Sequence, residues 1–301
     1  MRGVVAAMRI LVAGATGVLG APTVRALVGA GHEVVGLARS PEKAKLVETF
    51  GGRGAIGDVL KPATLGPAAR GAEAVIHLAS SSEAFEAVRV TGCRNLVAAA
   101  QASGVHRFVV GSGYWIFGHH EGTITEASSI DASGIGRTNL AAEHEALKAS
   151  RPGAFEVVVG RPGMVYGPGA WFARAVAGLR DGTYRVVGDG RNRWSPVHPA
   201  DVGEAYRTLV ERGIAGQAYL IVDDAPVPVR ELMDNLADLL GAPPPKVMAL
   251  PEAEAAMGRE VARALAANQT ASNAKLKGLG WRPRYPTYRE GLPTVLRAMD
   301  L

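Results

Sequence analysis

Cysteine is nearly missing from this chain: Cys93 is the only one in 301 residues. No intramolecular disulfide and no thiolate zinc site can be built from it. It lies in an apolar helical stretch, where a small buried hydrophobe is the better reading than a nucleophile. Long hydrophobic runs are missing as well. No segment approaches the roughly 20 apolar residues that cross a bilayer, so no membrane partner is expected. Met1 to Met8 is too short for the apolar core of a secretory signal. Met8 stands directly before the first strand-like run and is a candidate start. A reducing, cytoplasmic location is the expectation. Blocks of one charge are also lacking. The 33 basic and 28 acidic residues leave a formal charge of +5, but they are scattered, as in Arg39-Ser40-Pro41-Glu42-Lys43. No nucleic-acid partner is expected from such a pattern. No His, Asp or Glu grouping has metal-ligand spacing, and no Gly-x-Ser-x-Gly elbow occurs. There is no internal repeat and no low-complexity tract.

What is present is apolar periodicity. With 48% hydrophobic residues, the chain can bury a sizeable core. Strand-like runs at Arg9–Ala13, Glu33–Ala38, Gly54–Gly57, Ala74–Leu78, Arg107–Gly111 and Glu156–Gly160 alternate with helical segments at Val18–Gly29, Glu42–Phe50, Thr64–Arg70, Phe85–Ser103 and Asn139–Ser150. That alternation implies right-handed crossovers and an α/β, doubly wound parallel sheet of Rossmann type. After Tyr166 the pattern turns irregular, with helical stretches at Val229–Leu240 and Glu252–Asn268. The expected division is a dinucleotide-binding domain, 1–165 plus about 191–222, and a smaller substrate lobe, about 166–190 plus 223–301.

Gly14-Ala15-Thr16-Gly17-Val18-Leu19-Gly20 follows a strand and opens a helix. Small residues there let the backbone approach a pyrophosphate, and a helix N-terminus offers free N–H groups. Arg39 ends the second strand, at the position that faces the adenosine ribose. An acid there reads the 2′-hydroxyl of NAD, whereas Arg accommodates a 2′-phosphate. NADP(H) is therefore expected over NAD(H), with Lys43 a second candidate for the same phosphate.

From about Arg9 to Leu292 the chain resembles the extended short-chain dehydrogenases/reductases, the NAD(P)-dependent epimerase/dehydratase group. Gly14–Gly20 matches the family's glycine turn, and Gly57-Asp58-Val59 its adenine-contacting segment. Val75-Ile76-His77-Leu78-Ala79, running on into Ser80, matches the strand end along the cofactor. Arg161-Pro162-Gly163-Met164-Val165-Tyr166-Gly167-Pro168-Gly169 matches a segment near the nicotinamide. Val197-His198-Pro199-Ala200-Asp201-Val202 matches a late segment near the substrate. Ser272-Asn273-Ala274-Lys275-Leu276, followed by Leu279-Gly280-Trp281, matches the C-terminal helix and turn. The resemblance implies a small-molecule substrate. It also implies a homodimer or a monomer, the dimer being favoured and formed through the helices at Phe85–Ser103 and Asn139–Ser150.

The catalytic positions depart from the family pattern. The family's Tyr-x-x-x-Lys pair falls on Ile135 and Asn139. Ile135 has no proton to give and Asn139 no charge, although its amide can bond a ribose hydroxyl. The family's Ser or Thr falls on Gly113, with Ser112 one residue before it. Tyr114 is the candidate substitute acid, or else an aromatic wall. An Arg that clamps sugar diphosphates in many members falls on Trp194, with Arg193 one residue early. An indole cannot replace a guanidinium there. Trp115, Phe117, Tyr166, Trp171 and Trp194 are expected to line an apolar substrate pocket together with His198. The expectation is an NADP(H)-binding oxidoreductase acting on a carbonyl or hydroxyl of a small non-nucleotide compound. The alternatives are a non-redox isomerase or cyclase on the same scaffold and a catalytically silent NADP(H) sensor.

Overall fold

The computed structural model describes residues 6–301; of the Met1–Met8 stretch read above, residues 1–5 lie outside the described residues. Five strands and the helices between them build the first half: β1 (Arg9–Ala13), α1 (Gly20–Gly29), β2 (Glu33–Ala38), α2 (Pro41–Thr49), β3 (Arg53–Ile56), α3 (Leu65–Ala69), β4 (Ala74–His77), α4 (Gly92–Ala102) and β5 (Arg107–Gly111). Then come α5 (Gly134–Leu147), β6 (Glu156–Pro162), β7 (Met164–Val165), α6 (Ala170–Arg180), β8 (Arg185–Val187), β9 (Arg193–Trp194), β10 (Pro196–Val197), α7 (Pro199–Arg212) and β11 (Ala218–Ile221). The chain ends with β12 (Val227–Pro228), α8 (Val229–Leu239), β13 (Lys246–Met248), α9 (Leu250–Met257), α10 (Arg259–Ala266), α11 (Ala274–Gly278) and α12 (Tyr288–Ala298).

The main sheet has seven strands in the order β11-β6-β5-β4-β1-β2-β3. Every pairing in it is parallel. Ile10, Leu11, Val12 and Ala13 are all fully buried, as a strand covered on both faces requires. One face is closed by α1 and α7. The two helices meet where a Cβ on Gly203 would overlap the Pro22 carbonyl, so glycine sets their close approach. The other face carries α3, α4 and α5. A third core joins the Tyr114–Phe117 turn to α6, α8 and α12. The strand order reverses between β1 and β4, which leaves a crevice beyond their C-terminal ends.

Several boundaries differ from the sequence reading. The first helix starts at Gly20 rather than Val18, because Gly17 is held in the turn by its N–H···O bond to Gly14. Phe85–Ser103 opens with a π-turn at Ala87–Thr91. The helix expected at Asn139 already begins at Gly134. It therefore carries Ile135 and Asn139 on one element. The last expected helix is cut into α9 and α10 at Gly258, whose φ is +86°. The helix α7 and the seventh strand, β11, were not anticipated.

Candidate cofactor and substrate site

The glycine turn is shaped by backbone contact. Gly14 has φ +84°, and a Cβ on it would stand 2.6 Å from Ala79 N and from Leu78 C. A Cβ on Gly20 would overlap the Gly14 carbonyl oxygen. Gly20 thus shapes the turn and does not line the crevice, which corrects its expected cofactor contact. No side chain caps α1 and its first turn holds no acid. Ala21 N–H is bonded to Gly17 and Thr23 N–H to Leu19, so the open N–H groups among the described residues are those of the turn just ahead, Thr16, Val18 and Leu19, beside the positive dipole end, a fit for a diphosphate.

The crevice is a cavity of about 1150 Å³. Of the expected cofactor residues, Gly14, Thr16, Gly17, Val18, Leu19, Arg39, Asp58, Val59, Leu78, Ala79, Ser80 and Met164 line it. Pro162 does not; it is buried in β6, beneath the surface. Lys43 joins Arg39 at the wall. Ser40 caps α2 by accepting a bond from Lys43 N–H, which places Lys43 in the first turn beside Arg39. Neither cation has an ion-pair partner among the described residues. The nearby acid, Asp58, turns Oδ1 to the Leu60 N–H at 2.9 Å.

At the other end α5 presses on the Tyr114–Phe117 turn, since a Cβ on Gly136 would lie 2.5 Å from the Trp115 carbonyl oxygen. That contact presents Ile135 and Trp115 to the cavity. Trp171 lines it too. The other expected pocket residues do not. Trp194 and Tyr166 are buried in the third core, as is Phe117. Trp194 instead meets Trp171 edge-on, with centroids 6.2 Å apart. His198 caps α7: its Nδ1 accepts from Ala200 N–H at 3.0 Å, and its Nε2 lies 3.1 Å from Thr294 Oγ1. Burial, and then the Arg284 charge, lower its pKa to about 4. It stays a neutral structural imidazole outside the cavity.

The catalytic candidates are corrected in the same way. Tyr114 is wholly buried and absent from the cavity wall. Desolvation pushes its hydroxyl pKa well above the ordinary range, so it cannot trade protons with a ligand there. Tyr114→Phe should leave turnover unchanged. A steady-state assay showing a loss of about 10²–10⁴-fold, the usual worth of a positioned acid, would restore its role. Ser112 and Asn139 also stand behind the wall. The Ser112 hydroxyl donates to Glu143 Oε1. Glu143 receives two bonds from Arg161, Nε at 3.0 Å and Nη2 at 2.7 Å. Arg89 is buried nearby and donates to the Gly111 carbonyl. Asn139, one helical turn before Glu143, packs its amide over Gly113. Two guanidinium groups against one carboxylate leave this interior net positive. An uncharged side chain at position 139 is therefore the physically cheaper choice.

The sequence reading expected a helix over the residues of α10 but did not place it at the site. Arg259, Glu260, Val261, Arg263, Ala264 and Leu265 all line the cavity. Their signal was legible: Val261, Ala264 and Leu265 recur at helical spacing between charged residues. Among the described residues no helix is long and apolar enough to cross a membrane, and no metal-binding group of side chains is found.

The model of the NAD dependent epimerase/dehydratase family matches residues 10–221. The chain belongs to that family. Its architecture matches the dTDP-glucose 4,6-dehydratase of Streptomyces venezuelae, solved with NAD bound, at a TM-score of 0.82, 25% identity and 97% coverage of both chains. A 3-diazoavenalumate denitrifying reductase from a Streptomyces species is 31% identical over 308 residues, 95% of this chain and 99% of the relative. A 4-hydroxy-2-methyl-3-oxo-4-farnesyl-3,4-dihydroquinoline-1-oxide ketoreductase of Stigmatella aurantiaca is 30% identical, covering 78% of this chain and 74% of its own. The extended short-chain dehydrogenase/reductase reading holds, and with it an NAD(P)-dependent enzyme of the oxidoreductase or epimerase/dehydratase kind.

Proposed function

We propose that this family member is an NADP(H)-dependent oxidoreductase for a carbonyl or hydroxyl of a small non-nucleotide organic compound, with water in place of a tyrosine as proton carrier. The observation that carries the reading is one cavity that joins two uncompensated cations, Arg39 and Lys43, to an apolar end at Trp115, Ile135 and Trp171. The N–H groups around Thr16–Leu19 would hold the diphosphate, and Arg39 with Lys43 the 2′-phosphate. Asp58 and Val59 would face the adenine. Leu78, Ala79 and Ser80 would run beside the cofactor, with Met164 near the nicotinamide. When bound, the nicotinamide supplies hydride donor and acceptor chemistry. Ile135 and Trp115 exclude water from one side of that end. No β9 guanidinium serves a sugar diphosphate, because Arg193 donates to the Pro226 carbonyl away from the cavity. The reductase and ketoreductase relatives agree with a small organic substrate.

Calorimetric titration of both cofactors tests the first half. NADP⁺ should bind more tightly than NAD⁺, and Arg39→Ala should weaken NADP⁺ by about 10–100-fold, the loss of one charge-assisted phosphate contact. Equal affinities, or no effect of the substitution, count against it. NADPH oxidation across a panel of carbonyl compounds tests the second half. Tight NADPH binding with no carbonyl reduced favours the isomerase or sensor alternative. A homodimer through α4 and α5 belongs to the same proposal, and light scattering that gives a stable tetramer excludes it.

A further inference from the structure

Beyond the expected cofactor-binding residues the same cavity continues along Trp115, Ile135, Trp171 and α10, a part termed the chamber. The cavity's total volume, about 1150 Å³, lies above the roughly 300–1,000 Å³ of ordinary ligand pockets, and its lining runs past the expected cofactor residues. Two kinds of wall enclose the chamber. One is aromatic. The Trp171 indole donates Nε1–H to the Val165 carbonyl at 2.9 Å, so its polar atom is spent on the main chain and carbon faces remain. Trp194 and Phe172 pack against it at interplanar angles of 84° and 82°. Trp115 is braced in the same manner by the buried Tyr114, at 5.4 Å and 73°. Both rings are thus rigid plates whose orientation is set before any ligand arrives.

The other wall is aliphatic and lacks a protein partner. Helix α10 buries only Ala262. Val261 is 50% exposed and Ile135 56% exposed, and both line the cavity. The ionic groups beside them are mostly committed to each other. Glu260 pairs with Arg137 at 2.6 Å. Arg263 pairs with Glu254 at 2.7 Å. His119 meets Glu121 through Nε2 and the Asn268 N–H through Nδ1. Among the described residues Arg259 and Asp131 are exposed and outside any ion pair, and Oε1 of Gln269, in the same wall, is buried without a hydrogen-bond partner. The free contact surface of the chamber is therefore largely aromatic and branched aliphatic, with Arg259, Asp131 and Gln269 Oε1 as uncommitted polar groups.

We infer that this chamber binds a planar aromatic carbonyl compound between the Trp115 and Trp171 faces and the aliphatic side chains of Ile135 and Val261, with Ile135 as a specificity-determining residue. The inference rests on the NADP(H) reading above. Stacking on fixed indoles favours a flat π-system over a flexible chain of equal carbon content, which loses rotamer freedom when held. Ile135 contributes apolar contact at the helix position where the family resemblance places a proton-donating Tyr. The side chain there selects the ligand and does not react with it.

The test uses the full chain saturated with NADP⁺, which cannot reduce a ketone. 2-Acetonaphthone is titrated in, followed by calorimetry and tryptophan fluorescence, with 2-dodecanone as the flexible comparison. The aromatic ketone should quench the fluorescence and bind at least about 10-fold more tightly. Ile135→Ser and Val261→Ser should each weaken it about 10-fold by removing buried apolar contact. NADP⁺ affinity should stay constant in Val261→Ser, and thermal unfolding followed by circular dichroism shows that both variants are folded. Equal binding of the two ketones, or unchanged affinity in both variants, overturns the inference. If NADP⁺ binds and 2-acetonaphthone does not, the chamber assignment fails while the cofactor reading stands. If NADP⁺ itself fails to bind, the cofactor reading fails. The same ketone pair is then titrated against the free protein, where loss of the aromatic preference overturns the chamber as well.

Discussion

Glu143→Ala should destabilise the protein by about 3–5 kcal/mol in urea unfolding, because it leaves a buried guanidinium without its anion. The Glu143 side chain is 1% exposed and that of Arg161 8%. The two share a bidentate contact, and Ser112 adds its hydroxyl to the same carboxylate. Arg89 lies buried in the same region, with a carbonyl oxygen for a partner and no carboxylate. Removing the one anion strands positive charge in low dielectric, where it is most costly. The paired substitution Glu143→Met with Arg161→Met removes both charges and should recover much of the loss, since buried ion pairs often do little better than apolar groups of similar volume. A cost below about 1 kcal/mol for Glu143→Ala would mean that solvent reaches this cluster. A double variant as unstable as the single would mean that the charge account is wrong.

Asp223 should make stability fall as pH rises. It is 2% exposed, and its Oδ2 has no hydrogen-bond partner. Burial raises its pKa from 3.8 to about 8, and the Asp224, Asp201 and Glu290 charges push the same way, against one bond from the Ala225 N–H. Below about pH 4 the folded and unfolded chains both hold the proton, so the stabilising contribution is fully present. Between about pH 4 and 8 the unfolded chain releases the proton and the folded chain keeps it, so stability declines. Above that window both are ionised and this slope ends. Over the whole window the decline should reach a few kcal/mol. Asp223→Asn keeps the shape and the Ala225 bond but cannot ionise. Thermal unfolding should show it level with the parent at pH 4 and clearly more stable at pH 8. A parallel pH dependence in both proteins would show that Asp223 ionises freely in the fold.

The sheet was the most legible part of the chain. Its strands are short apolar runs divided by helices, and burial on both faces demands that pattern. The glycine turn and Arg39 were nearly as clear as parts of the crevice wall, since they follow from local backbone geometry and a single charge at a strand end. Strand β11 and helix α7 escaped notice. The close approach of α7 to α1 depends on Gly203 meeting Pro22, a contact made across the whole domain.

The substrate end shows the limit most plainly. Tyr114, Trp115, Tyr166, Trp171 and Trp194 are alike as residue types, yet only Trp115 and Trp171 reach the cavity. The other three brace or bury. Helix α10 faces the crevice because Gly258 turns the chain there at φ +86°. The sequence by itself determined the parallel sheet, the glycine turn between β1 and α1 and the cationic strand end, because each is carried by neighbours along the chain. Only the tertiary structure decided which aromatic side chains line the cavity, which ionisable groups are walled off from it and that α10 forms part of its wall. Those outcomes depend on packing between residues far apart in sequence, where side chains of the same chemistry compete for the interior and few are left at the wall.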